Sequence, residues 1–81
     1  SMTECKLVII TTIHNMDAFY SNIFSEQDEP LLQFKRRCKT YIEMDSYFVY
    51  ANSFDLRQNK YIPAGKFLNP ARQLIVLLIF V

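Results

Sequence analysis

The chain has 81 residues, 51% of them hydrophobic and 15% aromatic, with one Gly, three Pro and a formal net charge of +1. That composition predicts one small packed domain and excludes a disordered segment. The near-neutral charge excludes a protein that lives by non-specific phosphate binding, which relies on many cations.

Lys6 to Ile13 is rich in β-branched residues and predicts a strand; Ser1-Met2 before it reads as a vector scar, leaving residues 3–81 as the domain. His14-Asn15 breaks the pattern. Asn15 can cap a helix in which Met16, Phe19, Tyr20, Ile23 and Phe24 recur at three- and four-residue spacing, with Asp17 placed well for the helix dipole. Tyr20 and Phe24, at the edge of that stripe, either complete the core or form a secondary interface. Ser25 to Pro30 is polar and turn-like, with Glu26, Asp28 and Glu29 preceding the basic cluster Lys35, Arg36, Arg37 and Lys39. Leu31 to Arg37 reads as a strand; the alternative is a second helix over Leu31 to Ile42.

Ser46 to Ala51 is a strand by its aromatic and β-branched content. Asn52 or Ser53 then offers a cap for a short helix, Phe54 to Tyr61, stopped by Pro63 and Gly65. The run Leu74 to Val81 forms a terminal strand that is apolar on both faces, so something must cover its second face. It is too short to cross a bilayer, which takes about 20 residues as a helix. The order strand, helix, strand, strand, helix, strand is that of the α+β, ferredoxin-like βαββαβ plan: a four-stranded antiparallel sheet with two helices on one face.

Chemistry is thinly represented. Cys5 and Cys38 lack C-x-x-C spacing and fit a reducing intracellular compartment, cytoplasmic or nuclear, better than a disulfide scaffold. With His14 as the single histidine, no metal or other cofactor is expected. No glycine-rich phosphate loop and no nucleophile–base pairing can be read from the spacing, so no enzyme is expected.

Val8 to Ile13, the passage Phe24 to Leu32, Tyr47 to Phe54, and Gly65 to Val76 together resemble an RNA recognition motif (RRM), with a likeness to such domains in nematode germline small-RNA (piRNA) processing complexes. The departures from that family matter. Members that bind RNA on the sheet stack bases on aromatics. Here Ile9 stands at the first-strand stacking position, and in the second signature, aligned on Glu43 to Tyr50, only Tyr47 survives. The resemblance implies that Leu7, Ile9, Tyr47, Val49, Ile75, Leu77 and Ile79 share the open face, with Leu74, Val76, Leu78 and Phe80 turned to the helices. Covering roughly 400 Å² of such surface is worth on the order of 10 kcal/mol before association costs. The expected function is therefore a non-enzymatic protein-interaction and dimerisation module, pairing with itself or another RRM-type domain as scaffold in an RNA-processing complex. The alternative is RNA binding through Lys35, Arg36, Arg37 and Lys39, with a base on Tyr41 or Tyr47. Neither a membrane nor a small-molecule substrate is expected.

Overall fold

Seven elements run in the order β1 (Val8–Thr12), α1 (Met16–Ile23), α2 (Leu31–Arg37), β2 (Cys38–Met44), β3 (Phe48–Asp55), β4 (Lys60–Leu68) and β5 (Val76–Phe80). They come from a computed structural model that describes residues 7–25, 27 and 30–81. Ser1-Met2, Cys5 and the acidic residues Glu26, Asp28 and Glu29 lie outside the described residues.

The five strands form one antiparallel sheet in the order β1-β5-β2-β3-β4. The α+β class is as expected, but the sheet has five strands where four were expected. Because β5 is antiparallel to both neighbours, β1 and β2 run parallel with β5 filling the gap between them. As a central strand β5 has both edges paired, while the helices cover one of its two apolar faces. Val76 and Leu78 are buried on the helix side. Leu74, expected in the core, precedes the strand and is exposed.

Helix α1 starts as its sequence dictates. The Asn15 side chain accepts from the Ala18 N–H at 2.9 Å, and Asp17 occupies the first turn. The segment Leu31–Arg37 is a helix, not the expected strand, and the alternative helix to Ile42 overruns, since Cys38–Met44 is β2. Pro30 suits a helix start, no β-branched residue follows, and Leu31, Phe34 and Cys38 repeat at helical spacing onto the core. Lys35, Arg36 and Arg37 fall in the last turn, where cations complement the dipole.

The expected helix Phe54 to Tyr61 is a hairpin. Phe54 and Asp55 end β3, Tyr61 pairs with Phe54, and their rings meet edge-on at 5.1 Å. The turn between them mimics a helix: the Asn59 N–H donates to the Asp55 carbonyl at 2.8 Å, and Asn59 adopts φ 56°, a left-handed conformation that Asn tolerates. Pro63 and Gly65, taken as helix breakers, sit in β4. An edge strand tolerates proline, and a register shift across from Ala51 and Asn52 absorbs it.

Both helices cover the same face. Phe34 is the hub, with ring centroids of Phe19, Tyr20, Phe24 and Phe80 at 5.3 to 6.3 Å. Below it lie Met16, Cys38, Val76 and Leu78. Burial pushes the Cys38 thiol up from its usual range, so this free cysteine is a core residue. No helix among the described residues is long and apolar enough to cross a membrane.

A polar latch closes the far end. Asn69 is buried; its amide donates to the carbonyls of Asp45 (2.9 Å) and Gln73 (2.8 Å), and its backbone N–H to the Tyr47 carbonyl. It ties the β2–β3 turn to the connection into β5. Asn69→Ala is expected to cost about 1–2 kcal/mol in urea unfolding, the range for losing buried hydrogen bonds whose acceptors can rehydrate.

Candidate functional site

The helices leave the other face of the sheet uncovered. Cross-strand pairing arranges that face in rows. One row runs Ile9, Ile79, Thr40, Ser53 and Ile62; the next runs Thr11, Leu77, Ile42, Ala51 and Gly65; a third, shorter row has Met44, Val49 and Phe67. No charged side chain stands in these rows. The pair Asp55–Lys60 lies at their end, on the β3–β4 turn.

Ile9 is 54% exposed, Phe67 60% and Ile62 36%, while Leu77, Ile79 and Val49 are half-buried by their neighbours. Phe67 lies across Gly65: a Cβ there would stand 2.9 Å from the Phe67 ring, so glycine provides the shelf on which the aromatic rests. Contiguous exposed apolar surface of this kind marks an interaction site or an aggregation hazard.

Of the residues expected here, Ile9, Val49, Leu77 and Ile79 are brought together. Leu7 is exposed just before β1, and Ile75 is half-buried just before β5. Tyr47 is not on the sheet; it is exposed in the β2–β3 turn, where its N–H donates to Asp45 Oδ1 at 2.8 Å. The same carboxylate accepts from the Phe48 N–H and the Tyr50 hydroxyl, and these hydrogen bonds hold its pKa below the usual carboxylate range. Ile42, Met44, Ala51, Ile62 and Phe67 complete the face and were missed. The signal for Ile62 and Phe67 was present as aromatic and β-branched content, but Pro63 and Gly65 masked it.

The remaining candidates lie on the helix side. Tyr20 is 5% exposed and belongs to the core, so it is not a docking residue. Phe24 caps the end of α1, half-buried against the Phe34 cluster. The five residues expected to bind RNA divide between two places. Arg36, Arg37 and Lys39 line an apolar groove, while Lys35 and Tyr41 line a smaller polar pocket with Asn15, Met16, Asp17, Glu43 and Tyr61.

In that pocket Lys35 pairs with Asp17 at 3.3 Å. The Tyr41 hydroxyl donates to Glu43 and accepts from the Met16 N–H at 3.2 Å, and its ring packs on Tyr61 with centroids 5.4 Å apart. Tyr61 donates to the Cys38 carbonyl at 2.7 Å, with the Lys35 carbonyl at 3.1 Å as a second acceptor. Tyr41 is thereby committed to the structure and offers no base-stacking platform. Burial first, then the Glu43 carboxylate for Tyr41 and the Cys38 thiol for Tyr61, push both phenols well above their ordinary range. No group of His, Cys, Asp and Glu suited to holding a metal occurs among the described residues.

No protein-family model and no solved structure matches the chain. Over 58 residues, 72% of the chain, it is 43% identical to a "Replication protein" of Onion yellows phytoplasma (strain OY-M). The matched stretch is 15% of that protein, so the chain spans a small part of its relative.

The two phenols set an alkaline limit on the fold. A group whose folded pKa is raised contributes stability that is fully present below its unfolded pKa, ordinarily about 10, and is lost as pH rises above it. Urea midpoints are expected to hold to about pH 10 and then fall. The double variant Tyr41→Phe, Tyr61→Phe, less stable at neutral pH, should lose less over that rise.

Proposed function

We propose that the chain is a non-enzymatic association module that lays its open sheet face against the same face of a second copy, inside an assembly that replicates nucleic acid. The single observation carrying this reading is the three charge-free rows, two crossing all five strands and one crossing three. A neutral apolar face meets itself without burying an unpaired charge, which is the usual penalty of a mismatched interface. The sheet packing distance of about 10 Å is reached when two such faces interdigitate.

The name of the phytoplasma relative moves the proposed setting from RNA processing to replication. The proposal takes the fold as an elaborated ferredoxin-like plan. The parallel pair β1 and β2, joined through the helices with β5 in the gap, keeps the split β-α-β unit, and the β3–β4 hairpin stands where a second helix was expected.

Area decides how strong the association is. Five strands at about 4.8 Å spacing and about 17 Å of length give a flat footprint of about 400 Å² per copy. Two copies cover about 800 Å², below the roughly 1,600 Å² of a standard stable interface. The dimer is therefore weak and concentration-dependent. Light scattering should give a mass rising towards twice 9.6 kDa with concentration. Ile9→Asp and Phe67→Asp, both at exposed positions, should hold the mass at the monomer value while leaving the circular dichroism unchanged. A wild-type chain that stays monomeric at high concentration would sink the reading.

A further inference from the structure

The two edges of the sheet are unlike. β4 carries Lys60, Pro63 and Lys66 and has a register shift against β3; charge, proline and irregular pairing are the devices that keep an edge from accepting a further strand. β1 reads Val-Ile-Ile-Thr-Thr, with neither charge nor proline, and among the described residues it is paired on one side, by β5. Leu7 just before it is 57% exposed and Ile13 just after it 78%, and neither belongs to the core.

We infer that the outer edge of β1 pairs antiparallel with β1 of a second copy, about a two-fold axis at Ile10. The inference rests on the face-to-face reading above, because it joins two copies of that face into one surface. In such an isologous contact each residue pairing is made twice, so one favourable pair counts double. Centring on Ile10 sets Ile9 opposite the partner's Thr11 and Leu7 opposite the partner's Ile13, so the two exposed aliphatic residues that flank β1 cover each other. Moving the pairing by one residue sets open-face residues against helix-side residues. Moving it by two sets Leu7 opposite the partner's Thr11 or Asn15, and the Leu7–Ile13 pair is not made.

Joined in this register, the charge-free rows run on from one copy to the next: the row that begins at Ile9 continues at the partner's Thr11. Both open faces lie on one side of the joined sheet and both sets of helices on the other. A face of about 400 Å² per copy becomes about 800 Å² per pair, and two pairs packed face to face cover about 1,600 Å², the size of a standard stable interface. The edge alone is short, since five residues exchange only a few hydrogen bonds between groups that water already satisfies. Edge pairing and face packing therefore form together, and the assembly is four copies related by three two-fold axes.

The test is light scattering over a concentration series on the wild-type chain and three variants, with circular dichroism to show that each variant keeps its fold. The wild-type mass is expected to pass twice 9.6 kDa and approach four times that value. Leu7→Asp with Ile13→Asp sets like charges opposite each other and should stop the rise at twice; Leu7→Asp with Ile13→Lys sets opposite charges in the same places and should restore it. Phe67→Asp should hold the monomer mass. A wild-type mass that levels at twice 9.6 kDa, or a fourfold mass that the paired Asp variant leaves unchanged, overturns the edge pairing and leaves the face reading standing. A twofold mass that is lost on Leu7→Asp with Ile13→Asp but kept on Phe67→Asp supports the edge pairing and overturns the face reading. A wild-type chain that stays monomeric overturns both.

Discussion

The fold depends on the insertion of β5 between β1 and β2. Leu78 pairs with Ile10 on one side and Tyr41 on the other, and its side chain is fully buried beneath the helices. Without β5 the parallel strands β1 and β2 have no common partner, and the helices that connect them have no floor. The last strand to enter the sequence therefore closes a sheet begun by the first. Such long-range pairing is entropically expensive to reach and cooperative once reached. The run from Val76 to Phe80 uses both of its edges in the sheet and one of its faces in the core, while Leu77 and Ile79 lie on the open side.

The asymmetry between the two faces of the sheet follows from the helices. Phe34 gathers four aromatic neighbours, and with Met16 and Tyr20 seals one face. Two helices of eight and seven residues are short; they pack over the β1-β5-β2 side of the core face, and α2 reaches β4 through the Tyr61 hydroxyl on the Lys35 carbonyl. Beyond them, Lys66 rests 4.1 Å over the Phe48 ring, a cation covering apolar surface that the helices do not reach. On the opposite face the charge-free rows extend from Ile9 to Phe67, with Thr11, Thr40 and Ser53 as their polar members.

Element type was legible where local signals agreed. The β-branched stretch at β1, the Asn15 cap and the apolar terminal run each point to one structure, and each forms it. Errors fell where a local signal competed with long-range pairing. Asn52 and Ser53 look like helix caps, yet both continue β3. Asn52 directs its side-chain amide to the Tyr41 carbonyl, and Ser53 pairs with Thr40. Pro63 and Gly65 look like breakers, yet on an edge strand the missing N–H is not needed and the glycine makes room for Phe67. The Leu31–Arg37 helix was legible from Pro30 and the spacing of Leu31, Phe34 and Cys38, and the strand reading overlooked that spacing.

For the open face, alternation along the chain determined that Ile9 parts from Ile10, and Leu77 and Ile79 from Val76 and Leu78. Side-chain direction in a strand is a local property with a period of two, and it survives any choice of neighbour. What stands beside those residues was decided by tertiary structure alone. Strand order brought Ile42, Ala51 and Phe67 onto the same face, withdrew Tyr47 into a turn, and separated Tyr41 from Arg36 and Arg37. Neighbour relations between strands depend on which distant segment supplies the hydrogen-bonding edge, and no local pattern in the sequence encodes that.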